Sequence, residues 1–139
     1  MRVGLIYFQK DNSNGALKEI AGSLAEGIGK QGIQVDTYDG FALENRKLSF
    51  YDYICIGAES SGFFSSKLPE RVEQAVKGLG LVSGRRSYAF TVKNGVRSMK
   101  TLSRIMDLME KEGLYLKRSD IIKNRIDAEY IGKKLHISR

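Results

Sequence analysis

The feature that most constrains the fold is a change of period within the first thirty residues. Val3 to Phe8 is an apolar run with no polar interruption, the pattern of a parallel strand buried on both faces. Gln9, Lys10, Asp11, Asn12, Ser13, Asn14 and Gly15 then supply turn chemistry. After them Leu17, Ile20, Ala21, Leu24 and Ile28 recur at helical spacing and make one apolar face. Asn12, Ser13 and Asn14 all suit the N-cap. Strand, small polar loop and helix start leave unpaired backbone N–H groups facing outward, an arrangement that attracts phosphate.

The remaining segments repeat this alternation. Gln31-Gly32 ends the first helix near Lys30. Ile33 to Tyr38 alternates as a half-exposed strand at a sheet edge, and Asp39-Gly40 is a turn. Between Phe41 and Tyr51 the pattern supports at most one helical turn, Ala42 to Arg46. Tyr53 to Gly57 is a short apolar strand, and a polar loop with two adjacent aromatics follows. A helix over Pro69 to Gly78, with the proline in its first turn, turns Leu68, Val72, Ala75, Val76 and Leu79 inward. Ser87 to Val92 is a fourth strand, and Lys93-Asn94-Gly95 a turn. Met99, Leu102, Ile105, Met106 and Met109 give the helix over Arg97 to Glu112 its core face, with the methionines as filler. A last strand within Leu114 to Asn124, broken near Arg118-Ser119, precedes a helix over Asp127 to Leu135.

Strands alternating with helices argue an α/β fold, one doubly wound parallel sheet with helices on both faces. Right-handed crossovers leave few topologies. Ligands of such sheets sit beyond the carboxyl ends of the strands, where the winding reverses. Here those ends are the loops Gln9–Gly15, Ala58–Ser66 and Thr91–Gly95, each longer or richer in glycine and polar residues than connection requires.

Composition narrows the class. A chain of 139 residues makes one domain, 1–139, with a full core. No apolar run reaches the ~18 residues of a membrane span. The opening residues form a core strand with no signal-peptide cleavage site, and Cys55 is the only cysteine. Together these point to a cytoplasmic protein without membrane contact or disulfide. Cys55, between Ile54 and Ile56, reads as a buried, inert thiol. The net charge of +7 is uneven: residues 1–83 hold nine basic against ten acidic side chains, residues 84–139 fourteen against six. That basic half could attract an acidic protein, an anionic cofactor or nucleic acid, or be simply solvated faces. No nucleic-acid signature accompanies it.

At this point the chain resembles the flavodoxins. Gly4-Leu-Ile-Tyr followed by Ser13-Asn-Gly-Ala-Leu-Lys-Glu-Ile-Ala is similar to their opening. Tyr51 to Pro69 resembles their third strand and its loop, Gly84 to Val92 their fourth strand, and Ala128 to Leu135 their last helix. The resemblance implies a five-stranded sheet in the order 2-1-3-4-5, with FMN at the switch point between strands one and three; flavodoxin is a standard example of this arrangement. It implies an electron carrier working with redox partner proteins, acidic ones to suit this chain's basic half, as a monomer or weak dimer.

The resemblance also implies a site. Flavodoxins hold the phosphate in a Ser/Thr-x-Thr-Gly-x-Thr loop, whose last positions fall on Asn14, Gly15, Ala16 and Leu17. Only the glycine is kept, with Ser13 beside it, and the loop is a few residues longer. Each lost hydroxyl donor costs ~1.5–3 kcal/mol of charge-assisted hydrogen bonding. Helix-end amides remain, and Lys10 or Lys18 can supply charge. Ala58, Glu59, Ser60, Ser61, Gly62, Phe63 and Phe64 would face one side of the flavin ring, with a phenylalanine stacked on it or folded back over the sheet edge. Thr91, Val92, Lys93, Asn94 and Gly95 would face the other, where Lys93 would favour negative charge on the reduced ring and raise its potential.

Other chemistries lack their residues. Neither a dinucleotide fingerprint nor a P-loop occurs. A receiver domain could use Thr91 and Lys123 but needs an acidic pair where Tyr7, Phe8 and Gln9 stand. The nucleophile elbow is absent around Ser60 and Ser61. His136 is the only histidine, so a His/Cys metal site is not credible. Two readings stay open: an FMN-binding electron carrier, and a flavin-free scaffold that binds protein or regulates through its basic half. The quinone-reductase relatives, longer and oligomeric, are a third.

Overall fold

A computed structural model describes residues 1–10, 15–59, 70–93 and 97–138. In chain order the elements are β1 (Arg2–Phe8), α1 (Ala16–Gly29), β2 (Gln34–Asp39), β3 (Tyr53–Ala58), α2 (Glu70–Lys77), β4 (Arg86–Val92), α3 (Ser98–Lys111), β5 (Tyr115–Ile122) and α4 (Arg125–Lys134). All strand pairs are parallel, in the order β2-β1-β3-β4-β5. Beginning the sheet in its middle and winding first one way, then the other, puts the reversal between β1 and β3.

Alternation along each strand sorts the core into two layers. Val3, Leu5, Tyr53, Cys55, Tyr88 and Phe90 face α1 and α4, where Leu17, Ile20, Leu24, Ile28 and Ala128 cover them. Ile6, Phe8, Ile54, Ile56 and Ala89 face α2 and α3, against Val72, Val76, Leu102, Ile105 and Met109. All of β3 is buried, while edge strand β2 is half exposed. Burial pushes the Cys55 thiol pKa far up, so it stays protonated. No described helix is long and apolar enough to cross a membrane.

Four local expectations change. The described N-cap of α1 is Gly15, with φ of 79° and no side-chain cap of its own, in place of Asn12, Ser13 or Asn14. The turn expected over Ala42 to Arg46 is instead a 3-10 turn at Gly40–Ala42. The Asp39 carboxylate caps it, accepting the Phe41 N–H at 2.9 Å. Glu44 and Asn45 then take positive φ, which a helical turn forbids. Met99 is 66% exposed: Ser98, Leu102, Ile105 and Met109 form the buried stripe of α3, and Met99 is rotated off it. The break foreseen at Arg118-Ser119 is a bulge within one continuous strand. Ser87 faces Leu116 and Tyr88 faces Arg118, so Lys117 is the extra residue.

Candidate functional site

The described ends of β1, β3 and β4 meet at the reversal point. Phe8 is in register with Ala58, and the Glu59 N–H donates to the Phe8 carbonyl at 3.3 Å. The Thr91 hydroxyl donates to the Ala58 carbonyl at 2.7 Å. Backbone on both sides of the switch point is therefore fixed, and Gln9, Lys10 and Glu59 project from a held rim.

The start of α1 lies against this rim. Its first amides have no partners within the helix, and Gly15 offers no side chain to take them. Residues distant in sequence do so instead. The Lys18 N–H donates to Gln9 Oε1 at 2.9 Å. The Lys10 N–H donates to Glu59 Oε2 at 3.1 Å, and the Leu17 amide lies close enough to the Glu59 carboxylate to favour its charged form. Amides from the end of β1 and the start of α1 thus converge on one carboxylate carried by β3. The positive end of the helix dipole favours an anion there. Burial nevertheless dominates and raises the Glu59 pKa; the bonds from Lys10 and Leu17 and the Lys10 charge pull the other way without cancelling it.

Of the candidate residues, Lys10, Gly15, Ala16, Leu17 and Glu59 come together here. Leu17 contributes only its amide, because its side chain is buried core. Thr91 is buried with its hydroxyl proton spent on Ala58. Val92 packs against the α1 layer. Lys93 is exposed, and its N–H donates to Ile122 O at 2.9 Å. Ser13, Asn14, Ser60, Ser61, Gly62, Phe63, Phe64, Asn94 and Gly95 lie outside the described residues, as do Leu68 and Pro69 of the expected α2 start. Sequence reasoning missed Gln9 as a helix cap and did not foresee Glu59 taking amides at the start of α1. The signal was available: an acid directly after an apolar strand, facing a helix start poor in hydroxyls.

The donor set therefore fits an oxyanion, and Glu59 stands in for one. It fits the phosphate of FMN only where the Glu59 carboxylate gives up the Leu17 and Lys10 amides.

No protein-family model and no curated protein sequence matches the chain. Solved structures do. A flavodoxin from the domain Archaea superposes with a TM-score of 0.74 at 17% identity, covering 97% of this chain and 96% of that one. Oxidised flavodoxin 1 from Bacillus cereus gives 0.73 at 15% identity, over 99% of this chain and 100% of that one. The diflavin flavoprotein A3 from Nostoc sp. gives 0.68 at 19% identity, over 97% and 90%. At such identities the likeness is one of architecture, and it extends over nearly the whole chain: this protein has the flavodoxin-like α/β fold.

Proposed function

We propose that this chain binds FMN at the carboxyl ends of β1, β3 and β4 and passes electrons between partner proteins. The observation that carries the reading is the convergence of the Lys10 and Leu17 amides on a single oxyanion at the start of α1. A phosphate oxygen would replace the Glu59 carboxylate on those amides, with the Lys18 amide beside them and the Lys10 and Lys18 ammonium groups adding charge. FMN when bound supplies the redox chemistry. The chain holds the cofactor in place, with Ala58 to Phe64 toward one side of the ring and Thr91 to Gly95 toward the other. The basic half, residues 84–139, suits an acidic redox partner, whose docking would weaken with salt.

One observation favours a second reading, a flavin-free scaffold that acts in protein binding. The amides a phosphate needs are already satisfied within the chain, and Ala16 and Leu17 bring no hydroxyl. Titration of the purified protein with FMN, followed by flavin fluorescence and the visible spectrum, separates the two. The carrier quenches the fluorescence at micromolar FMN or below. The scaffold leaves it at the level of free flavin.

A further inference from the structure

We propose that Glu59 is a built-in competitor for the anion niche, so that FMN uptake requires its carboxylate to leave the amides or take up a proton. The inference rests on the FMN-binding reading and adds a regulation to that same site. Its geometric basis is that one oxyanion at a time can use the Leu17 and Lys10 amides, and Glu59 Oε2 already lies 3.1 Å from the Lys10 nitrogen. The backbone cannot carry the side chain away. The Glu59 N–H is held on Phe8 O and the preceding Ala58 carbonyl is held by Thr91. Only side-chain rotation is left, and it keeps the carboxylate within a few ångströms of the arriving phosphate.

Charge then decides the outcome. Among the described residues, Lys10 at the end of β1 is the charged group acting on the Glu59 carboxyl. The first turn of α1 brings Lys18 and Glu19, of opposite sign, and β4 ends in Lys93, with Thr91 uncharged before it. A carboxylate and a phosphate carrying up to about two charges together exceed the positive charge that Lys10 and Lys18 can supply. Placed side by side with little water between them, the two anions repel, and protonation of Glu59 relieves this. Burial already biases the carboxyl toward its neutral form. Where Glu59 is ionised beforehand and the repulsion is relieved by protonation, the balance is one proton taken up from solvent for each phosphate bound.

The test compares wild type, Glu59→Gln and Glu59→Ser by FMN titration from about pH 5 to about pH 8, with thermal melts confirming that each variant folds. Glu59→Gln keeps the size of the side chain and removes its charge; Glu59→Ser clears the niche. We expect both variants to bind FMN roughly tenfold or more tightly than wild type at the alkaline end, with the gap closing as pH falls. The ratio cancels the titration of the phosphate itself. Riboflavin, which lacks the phosphate, should bind all three proteins alike. A carboxyl-carbon NMR titration of apo wild type should show the Glu59 midpoint moving up when FMN is added. Equal FMN affinity of wild type and Glu59→Gln at every pH overturns this inference and leaves the FMN reading standing. No FMN binding by any of the three, with melts showing folded protein, overturns both.

Discussion

The Thr91 hydroxyl donates to the Ala58 carbonyl at 2.7 Å inside the sheet, and this bond ties the end of β4 to the end of β3. Thr91 is 2% exposed and Ala58 fully buried, so no solvent replaces the bond if it is lost. Thr91→Val keeps the shape and removes the donor. We expect a loss of about 1–3 kcal/mol, read from denaturant unfolding, with Thr91→Ser recovering part of it. Hydrogen exchange at the Glu59 amide should quicken, since the rim it belongs to is loosened.

Gly27 of α1 and Gly132 of α4 let those two helices cross backbone to backbone. A Cβ built on Gly132 would overlap the Leu24 carbonyl oxygen and lie 2.9 Å from the Gly27 Cα. Backbone cannot rotate away as a side chain can, so Gly132→Ala must separate the helices, at ~1–3 kcal/mol or more. Gly22 in α1 is the control: a Cβ there meets nothing within 4 Å. Gly22→Ala should instead stabilise by up to ~1 kcal/mol through helix propensity. Thermal melts moving the same way for both would refute the packing argument.

Asp36 on β2 accepts from the Tyr51 hydroxyl at 2.6 Å and from Arg2 at 2.8 Å, and Tyr38 joins the Tyr51 hydroxyl. The Tyr51 bond, then the Arg2 bond, holds the Asp36 carboxyl below the usual carboxylate range despite partial burial. A folded pKa below the unfolded one contributes stability above the unfolded value, lost as pH falls through the folded one. Tyr51→Phe removes the larger cause. Acid unfolding should therefore begin at higher pH in the variant, with a cost at neutral pH of about 1 kcal/mol, kept small because Asp36 is partly exposed. An unchanged acid midpoint would mean that the pair contributes nothing measurable.

What the sequence made legible followed from local period. The apolar runs of β1, β3 and β4, the alternation of β2 and the stripe of α1 each announce their element, and alternation of type gives a parallel sheet. Three features were hidden because their causes are not local. Asn12 to Asn14 offer good capping chemistry, yet the described caps on the start of α1 come from Gln9 and Glu59, brought there by strand pairing. Met99 matches an apolar pattern by type, but the contact face of α3 is set by where the sheet lies. The β2–β3 connection has no period to read: Arg85 fixes it from far along the chain, donating to Tyr51 O at 3.0 Å and Ser49 O at 2.7 Å. The switch point was legible as a place in the fold, and the bond from the Lys10 amide to Glu59 was not.

Lys93 gives the last test, which presupposes bound FMN. Its N–H is fixed on Ile122 O at 2.9 Å, so the end of β4 is anchored to that of β5 and the exposed side chain swings from a fixed root. A cation within several ångströms of the ring stabilises the negative charge that reduction brings. At an exposed position the interaction is worth ~1 kcal/mol or less, which for a one-electron step corresponds to at most about 40 mV. Lys93→Ala should therefore lower the reduction potential by about 10–40 mV in low salt, with the difference shrinking as salt is added. FMN affinity should change little, since Lys93 makes none of the contacts to Glu59 that mark the anion niche. A potential equal to wild type at low ionic strength would show that this lysine does not tune the flavin.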